Sequence, residues 1–174
     1  PSQRRQREPN RRAGVTAMRH ILKIHRSLND LLPTAKHEYT IRTSNPAADK
    51  DLWLALNNKI FTNHPDQGNW ALADLENRMA ENWFDAEGFF LAVKGNEIVG
   101  FVWTKIHQDL VNQDPVGELY VVGVDPNHAH QGIGRAVSVA AINYLIEKGL
   151  KRSMLYVDAD NEKGLALYTS LGFN

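Results

Sequence analysis

Cysteine is absent from the 174 residues. Disulfides, thiolate zinc sites and a cysteine nucleophile are therefore excluded. No run approaches the roughly 18 apolar residues of a membrane-crossing helix. Residues 1–12 are Arg-rich and lack the apolar segment of a secretory signal. These absences make a cytoplasmic location, with no membrane partner, the expectation. Net charge is also missing, since 20 basic residues balance 20 acidic ones. The balance hides an asymmetry: residues 1–26 hold eight Arg or Lys against one acid, Glu8. A basic arm can bind nucleic acid, but this one has no interleaved aromatics and no reader motif, so nucleic acid is not an expected partner. What remains is 43% apolar and 23% charged, enough for one domain with a sizeable core.

Residues 1–14, rich in Arg and Gln, read as a disordered tail. Residues 15–26 fit a strand or a short helix, and 29–36 read as a linker, which puts a domain boundary near 36. A short strand is expected over 37–43. Helices follow over 49–61, with Leu52, Trp53, Leu56 and Ile60 at helical spacing, and over 70–82. The polar loop 62–69 between them suits a lid over a pocket. Strands 88–94 and 97–107 flank Gly95-Asn96, a hairpin signal. On the second, Val99, Phe101, Trp103, Lys105 and His107 are expected to share one face. A strand over 117–124, a helix over 132–148, a strand over 152–158 and a helix over 162–171 complete the chain. Gly149 and Gly172 stand in C-cap positions of the two helices. The order β-α-α-β-β-β-α-β-α predicts an α/β domain whose mixed sheet is antiparallel first and parallel in its last pair.

Residues 117–135 read G-E-L-Y-V-V-G-V-D-P-N-H-A-H-Q-G-I-G-R: a strand, a turn at Asp125-Pro126, then glycines opening an apolar helix. Free backbone N–H groups and the positive end of a helix dipole there favour an anion. A P-loop needs Gly-Lys-Ser/Thr, which Arg135-Ala136 does not supply. A dinucleotide fingerprint needs Gly or Ala at 137, where Val137 stands, although Asp158 or Asp160 fits the acid that ends the next strand. The acyl-CoA pyrophosphate site and a plain strand-to-helix turn both remain open. His128 and His130 have no third ligand at metal spacing, so no metal is expected.

Further residues add a resemblance. Asp160-Asn161 closes the next strand, and Tyr168 and Leu171-Gly172-Phe173 end the last helix. With the glycine turn, this pattern resembles the GNAT acyltransferase superfamily over about residues 39–173. The segments G-F-V-W-T-K-I-H, H-P-D-Q-G-N-W, E-N-W-F-D-A-E-G-F, G-E-L-Y-V-V-G-V-D-P and M-L-Y-V-D-A-D-N look, more closely, like the C-terminal catalytic domain of the mycothiol synthase family. That family joins two GNAT domains and acetylates the cysteinyl amine of cysteinyl-glucosaminyl-inositol.

The resemblance implies a GNAT fold over residues 37–174 with the final strand missing, which would leave a sheet edge exposed. Residues 1–36 would be a basic tail and the remnant of a preceding GNAT-like domain, and the whole enzyme a two-domain monomer. It implies acetyl-CoA as co-substrate and a small-molecule amine as acceptor. Alternatives are another small amine or a protein N-terminus as acceptor, or a CoA-binding remnant without activity. By the same resemblance Glu118 is the general base, acting through a water, and Tyr168 the general acid. Val122, Gly123 and Val124 would pair with the pantetheine arm, with Gly123 permitting a bulge. Ala129, His130, Gln131, Gly132, Ile133, Gly134 and Arg135 would hold the pyrophosphate, and Asn161, Glu162, Lys163, Gly164, Leu165 and Ala166 would line the cofactor. Asp66, Lys105, Glu118 and Tyr156 would contact the acceptor. One departure stands out: Ala129 replaces the expected Gln or Arg, which implies weaker cofactor binding.

Overall fold

A computed structural model describes residues 19–108 and 110–174, so the tail expected over 1–14 lies outside the described residues. Six strands form one sheet in the order β1-β6-β5-β4-β3-β2. They are β1 (Ile21–Ser27), β2 (Thr40–Thr43), β3 (Phe89–Lys94), β4 (Glu97–His107), β5 (Val116–Val124) and β6 (Arg152–Asp158). Helices α1 (Pro46–Ile60) and α2 (Leu72–Met79) precede β3; α3 (Ile133–Glu147) links β5 to β6, and α4 (Glu162–Ser170) follows. All neighbouring strands are antiparallel except β5 and β6, which are parallel as expected. No helix among the described residues is long and apolar enough to cross a membrane.

The predicted missing strand does not leave β6 bare. β1 pairs with it from Ile21↔Asp158 to Ser27↔Arg152, so the sheet takes its outer strand from the segment placed before the boundary at 36. The contact continues past the strand, where His25 and Asn174 exchange backbone hydrogen bonds of 2.8 and 2.9 Å. Arg26 adds Nε–H to the carbonyl of Leu171 at 2.6 Å.

The sheet separates two cores. On one face Trp53 and Leu56 of α1 and Leu75 of α2 pack on Phe89, Phe101 and Trp103. The Trp53 ring meets Trp70, Phe89, Phe101 and Trp103 edge-on at 5.2–6.0 Å, contacts worth about 0.5–1.5 kcal/mol each beyond area burial. On the other face Val137, Ala141, Ile142 and Leu145 of α3 pack on Val99, Val102 and Leu119. Leu52, expected on the buried stripe of α1, is instead 55% exposed. The stripe runs through Asp49, Trp53, Leu56 and Asn57, where Arg42 neutralises Asp49.

Two bulges break the expected alternation. Ala92 pairs with Gly100 and Val93 with Ile98, so Val99 is an extra residue and turns toward α3, away from Phe101 and Trp103. On β5, Leu119 and Val121 face Thr104 and Trp103, leaving Tyr120 extra. The bulge expected at Gly123 is therefore at Tyr120. Gly123 pairs normally with Phe101, and a Cβ there would lie 2.7 Å from the Phe101 ring. Its lack of a side chain makes room for that ring.

Candidate active site

β5 and β6 pair only from Val116↔Arg152 to Glu118↔Met154. Beyond that rung they separate around a cleft of about 310 Å³, lined from β5 by Leu119 to Val122 and from β6 by Leu155 to Asp158. The facing edges have no strand between them among the described residues. Unpaired peptide groups on two opposed strand edges can bind an extended, amide-bearing chain. Tyr168 of α4 and Asn161 also line it, as do Arg19, His64 and Asp66.

The C-terminal end of β5 leads to the glycine turn. Pro126–His128 make one helical turn, His130 takes φ +63° and Gly132 φ +72°, and α3 begins at Ile133. Gly132 serves as the N-cap in the left-handed region, where glycine carries no Cβ penalty. The first turn of α3 points unpaired N–H groups outward, and no acidic side chain competes there. A Cβ on Gly134 would be 3.3 Å from Leu167 and 3.4 Å from Val124, so a small residue lets the helix start close to β5 and α4. Tyr39 O–H donates to the Gln131 carbonyl at 3.2 Å, and Arg135 Nη1 donates to Ser170 Oγ at 2.9 Å. Both fix the turn without consuming its N–H groups. This turn suits an anion. A larger hollow, about 530 Å³, lies between α3 and β2; it includes Gly132 and Arg135 but neither Glu118 nor Tyr168.

Glu118 occupies the last rung, only 6% exposed, with Oε2 2.7 Å from Nε2 of His107. Lys105 stands opposite it in the ladder. Its Nζ lies 4.7 Å from the Trp83 ring centre and 5.6 Å from that of Tyr120, so this lysine is held on aromatic faces. Burial pushes the Tyr120 phenol up, and its hydroxyl accepts from Arg78 Nη1 at 2.6 Å. Tyr168 is 9% exposed, and burial raises its phenol to about 12.

At the rim, Asp66 is exposed and Tyr156 is half-exposed. The loop carrying Asp66 is fastened down rather than loose: Asn57 and Gln67 exchange bonds of 2.9 Å, and Asn58 and Trp70 exchange bonds of 2.8 and 3.0 Å. Arg19, which no sequence signal singled out, spans the rim. Its Nε and Nη2 donate to Asp158 at 3.0 and 2.9 Å, Nη2 lies 3.2 Å from His64, and Nη1 is 3.6 Å from Asp66. Those bonds hold the Asp158 carboxyl below the usual range.

Of the residues singled out in the sequence, Asp66, Tyr156, Tyr168, Val122 and Asn161 line one cleft. Glu118 lies just past its closed end and Lys105 beside Glu118, both outside that lining. Residues 129–135 sit at the start of α3 and Glu162–Ala166 in α4. Asn161 has a second duty, since its Oδ1 accepts from Gly164 N–H at 2.9 Å and caps α4.

The Acetyltransferase (GNAT) family model matches residues 50–173. The mycothiol acetyltransferase of Acidothermus cellulolyticus is 45% identical over 175 residues, which cover 94% of this chain and 54% of that protein. That of Thermobispora bispora is 45% identical over 163 residues, covering 92% and 55%. The chain thus spans about half the length of the curated relatives it matches. Among solved structures, a GCN5-related N-acetyltransferase from Sphaerobacter thermophilus superposes with a TM-score of 0.72 at 23% identity, covering 90% of this chain and 48% of that one.

Proposed function

The chain belongs to the acetyltransferase (GNAT) family, and from that premise we propose that it transfers acetyl from acetyl-CoA to the cysteinyl amine of cysteinyl-glucosaminyl-inositol, the last step of mycothiol biosynthesis. The observation that carries the reading is the parting of β5 and β6 at Glu118↔Met154, with an anion-suited helix start at the far end of β5. The 45% identity to mycothiol acetyltransferases over almost all of the chain narrows the acceptor. The chain would act as the acetylating half of a two-domain monomer in the cytoplasm, a reading that the greater length of the relatives supports.

Acetyl-CoA supplies a thioester carbonyl and a thiolate leaving group. The turn over residues 129–135 takes its pyrophosphate through backbone N–H groups, so Ala129 weakens this hold without abolishing it. Val122, Gly123 and Val124 meet the pantetheine arm, and a β5 N–H donates to the thioester oxygen. Asn161 and residues 162–166 flank the same arm. Asp66, Lys105 and Tyr156 hold the acceptor so that its amine approaches along β5. Glu118 removes the amine proton through a water as the C–N bond forms. When the C–S bond breaks, Tyr168 donates its phenolic proton to the sulfur. With its phenol raised to about 12, Tyr168 holds that proton throughout the neutral range.

Thiol release from acetyl-CoA tests the reading, with cysteinyl-glucosaminyl-inositol compared against cysteine amides and short peptides. The sugar conjugate is expected to give the highest kcat/KM. Turnover of simple amines with none of the conjugate would overturn the acceptor assignment, and CoA binding without turnover of any amine would overturn the enzymatic one.

A further inference from the structure

Glu118 is buried, yet one of its oxygens is engaged. His107 is the one side chain that hydrogen-bonds it among the described residues, with Nε2 2.7 Å from Oε2. The ring reaches Glu118 diagonally, since the ladder places His107 opposite Val116 and Lys105 opposite Glu118. The histidine side chain is 30% exposed and the glutamate side chain 8%, so the pair has a wet end and a dry end. An ionised carboxylate only accepts, so the shared proton belongs to Nε2 and the neutral ring keeps its lone pair on Nδ1. That arrangement ties down Oε2 and leaves Oε1 for a water or an amine.

We propose that His107 is a positioning residue for the base: it turns one oxygen of Glu118 toward the acceptor amine, and its own protonation weakens that carboxylate as a base. The inference rests on Glu118 acting as the base. Among the described residues, the other charged or titratable groups around the pair are Lys105 on β4, Tyr120 on β5, Arg78 and Glu81 beside Tyr120, and Arg152 of β6 opposite Val116. Of these side-chain types only histidine ordinarily changes charge between pH 5 and 8. A positive charge on the ring, 2.7 Å from the base, stabilises the carboxylate and reduces its pull on the amine proton.

The test uses His107→Gln, which keeps an N–H donor that does not titrate, and His107→Leu, which removes the donor. His107→Gln is expected to hold kcat within about threefold while flattening the acid limb of the kcat/KM profile. His107→Leu is expected to lower kcat by about tenfold or more, the size of one hydrogen bond to a charged group, with acetyl-CoA affinity unchanged. An acid limb that survives in His107→Gln would overturn the proposal. Nitrogen NMR of the histidine-labelled chain gives a readout that needs no turnover. Neutral His107 should carry its proton on Nε2 alone, and Glu118→Ala should relax it to the tautomer mixture of free histidine; a tautomer indifferent to Glu118→Ala overturns the pairing. If the wild-type chain acetylates no amine, the acetyl-transfer reading fails, and the tautomer result alone decides whether His107 holds Glu118 through Nε2.

Discussion

Glu118 faces Met154 across the last rung between β5 and β6, and the next residues of the two strands part company. The rung is a fork: it closes one end of the cleft and sets the carboxylate at that end. Any displacement of β5 moves Glu118, the proposed base, and the cleft wall together.

Replacing Glu118 by Gln keeps the volume and an acceptor for His107 but removes the proposed base. kcat/KM for the amine should fall by about 10²–10⁴, the usual contribution of general base catalysis. Acetyl-CoA affinity, measured by calorimetry, should stay within about twofold. A variant with near-normal turnover would remove Glu118 from the mechanism.

Tyr168→Phe should lower kcat by roughly 10²-fold with little change in either KM. The wild-type profile should show no alkaline loss from this phenol below about pH 10, because burial raises it to about 12. Stability follows the same sign. The folded value exceeds the unfolded one of about 10, so the contribution is intact below pH 10 and is lost as pH climbs toward 12. Thermal melts of wild type and Tyr168→Phe should keep a constant difference up to pH 10, with wild type losing ground only above it.

Arg19→Ala cuts the link from Asp158 to His64 and Asp66. KM for the amine should rise a few-fold while KM for acetyl-CoA holds. Because the contact is exposed, the difference should shrink in high salt. An equal rise in both KM values would mean the cleft as a whole had been disturbed.

Gly100→Ala would put a Cβ 2.3 Å from Ile133 Cγ2 and 3.2 Å from the Gly123 carbonyl. Ile133 is the first residue of α3, so relief of the clash pushes the helix start away from β5. Acetyl-CoA binding should weaken more than amine binding, with a stability loss of about 1–3 kcal/mol. Paired titrations and urea melts check both effects.

Asp49→Asn should destabilise the fold by about 1–3 kcal/mol at pH 7, since Asp49 accepts from both Arg42 nitrogens at 2.8 Å and from Asn45 N–H at 2.7 Å. The Arg42 hydrogen bonds hold its carboxyl below the ordinary value, so the stabilisation is present above about pH 4 and disappears as pH drops through the folded value. Urea midpoints of the two proteins should converge in acid.

Local signals made much of this legible. The run 97–107 is the predicted strand to the residue, and Gly149 and Gly172 both adopt left-handed φ after α3 and α4. Tyr168, Asp66 and Tyr156, which only the family resemblance singled out, line one cleft. Pairwise facts were out of reach. Whether Val99 or Tyr120 is the extra residue depends on the register of a neighbouring strand, which no single segment encodes. His107 and Glu118 meet only once β4 and β5 choose their register. Arg19 looked like one more charge in a basic stretch because its partners stand at positions 64, 66 and 158.

The pairing of β1 with β6 also fixes when the site comes into being. During synthesis β1 leaves the ribosome before every other strand of the sheet, and β6 leaves after all of them. Ile21 must wait for Asp158, and His25 for Asn174, while the chain between them is still being made. Arg19 gains Asp158 only once β6 has emerged, so the rim of the cleft cannot form before then.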